Sequence, residues 1–513
     1  MPAISPETSQ ELCVTADGAN GKLTQMMFEG YKLVVFAVVC IEVALVVLSF
    51  RKNPLLALRV TILSLMLKGQ FIWVGNPLYA WQVSGLLGLI FFASIGPNLR
   101  LPSQAGISRG LSWAKVSITI YAIVTILNSV LQWFALAVTP QIGTLANIAL
   151  DRVFTQTLYF LLTIGLFVFG VVLGRFIRIH ELLRAIVVIA TITAYFAIIQ
   201  AVLFYTTGLN LFPIIRGDGS LESAFIQNLT FRASSFAGEP KHLGLMVALG
   251  LVCLWILRMA RLPTGRYWLH QPIALVTAAI LSLSATGLYI TAASIGFLAV
   301  FFIRRVRLAE IFIVSVLVVI AGIYYSGSGD DFASTLVKQA SKGSFEVQDV
   351  SVIAALINEP TIALTGTGLG NIHLYAVDYL PEDFPKFRDQ GYKANSGLFY
   401  IAGDAGLIGL LLFLLPHIQI VSAARSLKHS LAVVEQRQLI AIMALLLGSL
   451  ISFLLRFNEL HFLVIGIAYS GVAYFDCRRK HDPAEAKHVE TGKLDAKSPR
   501  STMGQSAHFM HRS

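Results

Sequence analysis

A chain of 513 residues that is 56% hydrophobic, with a mean hydropathy of +0.72 and only 13% Asp, Glu, Lys and Arg, cannot cover itself with polar surface, because soluble proteins carry about 25% charged residues. That excludes a soluble enzyme, a disordered chain and a secreted disulfide scaffold, and leaves an all-α polytopic membrane helix bundle. The net charge of +11 sits in short Lys/Arg clusters between apolar runs, the pattern of cytoplasmic loops, and no basic stripe with interleaved aromatics points to nucleic acid.

Residues 1–30 are polar and net acidic, with Glu7, Glu11, Asp17 and Glu29 against Lys22. They lack the basic start of a cleavable signal peptide, which predicts an outer N-terminal segment followed by a retained helix. Apolar runs of the length that spans a bilayer lie near 31–50, 55–75, 78–97, 113–138, 153–174, 182–205, 240–257, 272–303, 309–326, 397–421, 438–456 and 460–475. Arg59 and Lys68 fall inside the second run and must face the bundle interior or snorkel to its edge. The 272–303 run is long for one crossing and is interrupted by Ser284-Ala285-Thr286-Gly287. Arg258, Arg261 and Arg266 precede it and Arg304, Arg305 and Arg307 follow it, so it is predicted to go out and return as two short helices. Propagated along the chain, that assignment puts every other basic cluster on the same inner side: Arg51 and Lys52, Arg100 to Lys115, Arg175 to Arg184, Arg425 to Arg437, and Arg478 to Lys480. The result is about 12–13 crossings, with the amino terminus outside and the carboxyl tail inside.

Transmembrane helices are thus expected over 31–326, with an outer loop near 206–239, then a large outer loop at 327–396, C-terminal transmembrane helices over 397–475, and a polar, disordered inner tail at 476–513. The large loop is net acidic and carries Tyr375, Tyr379, Phe384, Phe387 and Tyr392, aromatic surface suited to stacking on sugars. Cys13, Cys40, Cys253 and Cys477 are scattered, so neither a zinc site nor a disulfide framework is predicted.

The most informative stretch runs from Phe231 to Gly244 and leads into the 240–257 helix at its outer end. Pro240 suits a first helical turn. The unpaired N–H groups of that turn, with Arg232, Lys241 and His242 beside it, describe an anion site of a size for a diphosphate; equally, Arg232 and Lys241 could serve as interfacial anchors. Glu239 reads as the cap of this helix or as a general base. His242 and His373 are candidates for hydrogen bonding or catalysis. Thr365-Gly366-Thr367-Gly368-Leu369-Gly370-Asn371 permits close backbone approach to a ligand, or is a surface turn. In Asn395 to Gly409, Asp404 enters the membrane and needs a basic partner, for which Arg456 is the candidate.

Taken in order, these segments resemble the O-antigen polymerase and O-antigen ligase superfamily of bacterial envelope polysaccharide synthesis. Arg232 to Gly244 is similar to that family's Arg, small residues, Phe, Gly, Pro, Gly pattern. Ser284 to Gly287 resembles its Ser-Arg-x-Gly turn, Gly366 to Asn371 its Gly-x-Gly-x-Gly, and Asn395 to Gly409 its His-Asn segment, which ends in an acid and Gly-Leu-Ile-Gly. The resemblance covers roughly residues 180–460. It implies metal-independent transfer of glycan from an undecaprenyl-diphosphate-linked oligosaccharide at the periplasmic face of the inner membrane. The large loop would then be periplasmic, and no cofactor is implied. Arg232 maps onto the family's arginine; Ala285 stands where many members have Arg, and Asn395 where ligases have a histidine. An amide cannot accept a proton at neutral pH, so the polymerase branch is favoured.

The sequence therefore predicts a polysaccharide polymerase, with Arg232, Glu239 and His373 as catalytic residues and Lys241, His242, Asn395, Thr286, Gly368 and Gly370 as substrate-binding residues. Membrane lipid and a chain-length regulator or flippase are the expected partners. The alternatives are a ligase-type glycan transferase, a lipid-linked oligosaccharide flippase or other transporter, and a noncatalytic assembly partner.

Overall fold

The computed structural model describes residues 20–66, 68, 72–73, 77–95, 109–138, 144–208, 225–226, 230–263, 270–302, 346–381 and 392–481. In chain order the helices are α1 (Asn20–Lys52), α2 (Pro54–Met66), α3 (Ala80–Ile95), α4 (Arg109–Val138), α5 (Thr144–Leu173), α6 (Ile179–Thr207), α7 (Pro240–Met259), α8 (His270–Leu281), α9 (Ala285–Phe301), α10 (Val347–Asn358), α11 (Pro360–Thr365), α12 (His373–Ala376), α13 (Gly397–Leu427), α14 (Val433–Leu455) and α15 (Leu460–His481). Two pairs of two-residue strands, Ile72–Trp73 with Pro77–Leu78 and Phe225–Ile226 with Thr230–Phe231, are antiparallel. The protein is a multi-pass helical membrane protein: among the described residues eight helices (α1, α4, α5, α6, α7, α13, α14 and α15) are long and apolar enough to cross a bilayer.

The expected 12–13 crossings are not all full spans among the described residues. The run at 55–75 is a helix of only 13 residues that stops at Met66, and at 1.5 Å per residue it reaches about 20 Å of a hydrocarbon core of about 30 Å. The 272–303 run breaks at Ser282–Ser284 into α8 and α9, of 12 and 17 residues, both shorter than a full crossing. The run at 309–326, most of the 206–239 loop and the tail beyond His481 lie outside the described residues, as do Cys13, Phe384 and Phe387.

Helix α5 is the axle of the N-terminal half. It packs on α3 and α15 through small residues, the only side chains that let backbones approach this closely. A Cβ added to Gly165 would lie 2.1 Å from the Gly85 carbonyl oxygen, and one on Gly466 would lie 2.1 Å from that of Phe167. On the other side α7 packs between α6 and α9, and α13 runs along α4.

Helix α13 is broken. Gly406 has φ 66° and ψ −171°, a conformation open to glycine and strained for other residues. The break frees the carbonyls of Gly403 and Asp404, which accept the N–H groups of Thr367 and Gly368 at 2.9 and 3.0 Å. The glycine-rich loop thus docks on the broken helix. Asn128 of α4 ties the joint by donating to the carbonyls of Thr365 and Asp404.

A Cβ on Gly406 would meet the Leu364 carbonyl oxygen at 2.3 Å. Gly406→Ala is therefore expected to cost about 2–4 kcal/mol, read as a lower unfolding temperature and lower folded yield in detergent. Gly296→Ala, where a Cβ meets nothing within 4 Å, is the control and should leave both unchanged.

Candidate functional site

Before α7, the loop is held by one buried side chain. Gln200 of α6 accepts the N–H groups of Ser234 and Ser235 through Oε1 at 3.1 and 2.9 Å. Ser235, at φ 51°, donates its hydroxyl to the Thr193 carbonyl at 2.8 Å. Phe231 stacks on Phe204, with centroids 4.2 Å apart, and Phe236 packs edge-on to Phe196 at 4.5 Å. The loop is clasped to the α8–α9 turn: Ala233 N–H donates to the Leu281 carbonyl at 3.0 Å, and the Arg232 guanidinium donates to the carbonyls of Ser282 and Leu283 at 3.3 and 3.4 Å. Just below, α7 and α9 cross at Gly244 and Gly287, where a Cβ on Gly287 would come to 2.6 Å from the Gly244 Cα. Two segments 50 residues apart in sequence, Arg232–Gly244 and Ser284–Gly287, thus form one structural unit.

Beside this unit lies a cavity of about 460 Å³, lined among others by Lys68, Gln82, Gln156, Tyr159, Glu239, Lys241, His242, Lys393, Asn395, Arg456 and Glu459. Its volume falls within the range of ligand pockets. Most of the helices contribute the same end to it, the residues just past α2 and α14 and the starts of α3, α7, α13 and α15, while Thr155 to Leu162 from the middle of α5 form one wall. Four cations face two carboxylates. Lys68 pairs with Glu459 at 2.7 Å, and Glu459 also accepts the Tyr159 hydroxyl. Burial pushes the Glu459 carboxyl up, but Lys68 and Tyr159 overcome that and hold it below its ordinary value. Lys241 lies 3.3 Å from Glu239 and 3.6 Å from Glu346. Arg456 donates to Glu346 at 2.8 Å, and Asn395 donates its amide to the other Glu346 oxygen at 2.9 Å. Lys393 sits over the rings of Tyr159, Tyr400 and Phe457, 5.1 to 6.0 Å from their centroids. Leu78, Leu158 and Leu162 complete the wall, and the first two are about half exposed on the apolar flank of the bundle. A charged recess with an apolar lip suits an amphiphile whose anionic head enters while its chain stays in lipid.

The entrance to α13 is built by Asp349 of α10. Its Oδ1 accepts the N–H groups of Asn395 and Ser396 at 2.8 and 2.9 Å, which fixes Asn395 at the rim. Behind the rim, the Asp404 carboxylate accepts the N–H of Gly370 at 3.1 Å and lies in the positive field of Lys393 and Arg152. His373 is buried. Its Nδ1–H donates to the Gly370 carbonyl at 2.9 Å, and burial together with Arg152 pushes the imidazole down to about 4, so the ring is neutral at physiological pH.

Of the expected site residues, Glu239, Lys241, His242 and Asn395 line the cavity. Arg232 does not; its guanidinium braces the α8–α9 turn, and burial pushes it down to about 10. Thr286 is buried in the first turn of α9 beside the Gly244–Gly287 crossing. Gly368 and Gly370, at φ 76° and 79°, pack against Ser129 and Gln132 of α4 and against Gln156 of α5, so their close approach is to helices. Glu239 occupies the cap position of α7, but its side chain makes no capping bond; it turns to Lys241 instead. Asp404 does not take Arg456, which Glu346 claims first.

Sequence reasoning missed Lys393, Arg456 and Glu459 as cavity residues, left Lys68 unassigned, and missed Glu346, which links Lys241, Arg456 and Asn395. The available signal was the set of charges next to membrane entrances at 68, 393, 456 and 459. Among the described residues no group of three or more His, Cys, Asp and Glu could hold a metal ion. Compared with models of known protein families and with curated protein sequences, the chain matches none.

Burial pushes the Lys393 ammonium down to about 8, against the opposing pull of Glu459. Lys393 is therefore charged at pH 7 and loses its proton as the pH rises through 8. Affinity for an anionic amphiphile of constant charge over that range, such as an alkyl sulfate, is expected to fall about tenfold between pH 7 and 9. In Lys393→Arg the guanidinium stays charged, and titration calorimetry of that variant should show no such fall.

Proposed function

We propose that this protein is a membrane polysaccharide polymerase. It joins undecaprenyl-diphosphate-linked oligosaccharide repeat units at the periplasmic face of a bacterial inner membrane, as the resemblance to the O-antigen polymerase and ligase superfamily implies. The observation that carries the reading is the cavity: four cations at one end of the bundle, beside a lip of exposed leucines. A lipid diphosphate needs both parts, since its leaving charge must be held in a site of low dielectric while its chain remains in the bilayer. The four segments on which the resemblance rests also meet in space. Arg232–Gly244 clasps Ser284–Gly287, the glycine-rich loop docks on Asn395–Gly409, and Lys241, Glu346 and Asn395 join the two pairs across the cavity rim.

In this mechanism the sugar hydroxyl of the acceptor attacks the anomeric carbon of the donor. The bond from that carbon to the diphosphate oxygen breaks, and the departing electron pair is stabilised by Lys241, Lys393, Lys68 and Arg456. Glu459 is buried between Lys68 and Tyr159, whereas Glu239, paired with Lys241, keeps 26% of its side chain exposed, so Glu239 is the cavity carboxylate assigned to take the hydroxyl proton. Arg232 acts as a positioning residue by holding the turn on which the Glu239 loop rests. His373 and the glycines support the rim. The cavity opens at one end of the bundle, whereas transporters bind near the midplane between repeats; this favours the transferase reading over transport.

The test is reconstitution of the purified protein in lipid nanodiscs with lipid-linked repeat units as the sole substrate. The glycan should lengthen. Lys241→Ala and Glu239→Gln are each expected to slow lengthening about a hundredfold or more with protein abundance unchanged. Transfer to a different acceptor without lengthening would assign the ligase branch, and no covalent change of the glycan at all would overturn the reading.

A further inference from the structure

The opposite end of the bundle carries a second, smaller pocket of about 190 Å³, lined by Arg261, Lys428, Val433, Gln436, Arg437 and Ile440. Three separate segments build it. Val433, Gln436, Arg437 and Ile440 share one face of α14 at helical spacing. Lys428 lies in the turn after α13, and Arg261 in the turn after α7. The backbone at Arg261 is unusual. Its N–H donates to the Arg258 carbonyl and the Leu262 N–H to that of Leu257, at 3.0 and 2.8 Å, which is a helix-ending motif whose left-handed position normally belongs to glycine. Here that position, at φ 55°, is an arginine, and Arg184 braces the loop by donating to the Pro263 carbonyl at 2.8 Å.

The three cations have no ion-pair partner among the described residues, and no carboxylate lines the pocket. The nearest acid on the same helix, Glu435, is held by Arg478 at 2.6 Å and by the Ala432 N–H. The Gln436 amide nitrogen donates to the Leu431 carbonyl, which keeps its side chain in the rim. Cations that merely mark the inner side of a membrane protein point apart into water. Three that converge on one recess repel one another unless an anion sits between them. The volume is below that of pockets for drug-sized ligands and suits a single phosphate group. Val433, exposed at 62%, and Ile440 give the recess an apolar wall.

We propose that this pocket binds the phosphate of an anionic membrane phospholipid, clasping the ends of α7 and α13 to the start of α14. It takes a phosphodiester anion, and the apolar wall accommodates the glycerol and the first methylenes of the chains. The site is separate from the cavity at the other end and stands whatever reaction that cavity performs.

The experiment uses the full chain, purified and delipidated, with thermal unfolding and native mass spectrometry as readouts. Three probes are compared: phosphatidylcholine vesicles, phosphatidylcholine vesicles containing phosphatidylglycerol, and inorganic phosphate in detergent. Phosphatidylglycerol should raise the unfolding temperature and be retained as bound lipid. Arg261→Gln, Lys428→Gln and Arg437→Gln combined should weaken its binding at least about tenfold. Arg261→Lys with Arg437→Lys should retain most of it, and Arg51→Gln, at the same bundle end but outside the pocket, should retain all of it. Stabilisation by inorganic phosphate alone, lost in the triple variant, would support the phosphate site and assign it to the free ion. Equal binding by wild type and triple variant, or no preference for phosphatidylglycerol over phosphatidylcholine with no response to phosphate, would overturn the proposal.

Discussion

The buried ion pair between Lys68 and Glu459, with the Tyr159 hydroxyl as third member, is the interaction around which the site is organised. Glu459 is 2% exposed and stands in the tight turn between α14 and α15. Its charge would be strongly destabilising alone, since breaking a buried pair by removing one partner costs about 3–5 kcal/mol. Its partners come from the end of α2 and from α5, so three parts of the chain must be in register before the carboxylate is satisfied. That requirement draws the middle of α5 against the α14–α15 turn and sets Tyr159 where Lys393 lies over its ring.

From that anchor the other charges follow as a connected set. Glu346 joins Lys241, Arg456 and Asn395, so it ties the start of α10 to α7, α14 and the entrance of α13. Asp349, three residues on, holds the same entrance through two backbone N–H groups. The acids are fewer than the cations they serve, and the excess positive charge collects in a recess of limited solvent access, where an incoming anion is bound more strongly than at an open surface.

Much of the architecture was legible in the sequence because the bilayer constrains it strongly: apolar run lengths located the helices, and Ser284 to Gly287 marked the break between α8 and α9. The stretch leading into Pro240 was legible as a site because helix starts and cations have a fixed chemistry, and Glu239, Lys241, His242 and Asn395 do line the cavity. What local reading could not supply was the choice among partners. Arg232 looked like an anion ligand, yet two carbonyls exposed by the break at Ser282–Ser284 claim it. Arg456 looked like the match for Asp404, but Glu346, 110 residues away in sequence, takes it. The glycines at 366, 368 and 370 looked like a ligand cradle, and the break at Gly406, invisible in composition, makes them a docking surface for helices.

The brevity of α2 sets the depth at which chemistry takes place. At 1.5 Å per residue its 13 residues reach about 20 Å, roughly 10 Å less than a hydrocarbon core of about 30 Å. Lys68, two residues past the end of this helix, therefore stands nearer the middle of the bundle than the end of a full span would. With Leu78 and Leu158 open beside it, so short a helix favours local thinning of the surrounding bilayer. A molecule diffusing laterally in that bilayer would thus meet the lysines from the side, without first rising into bulk water.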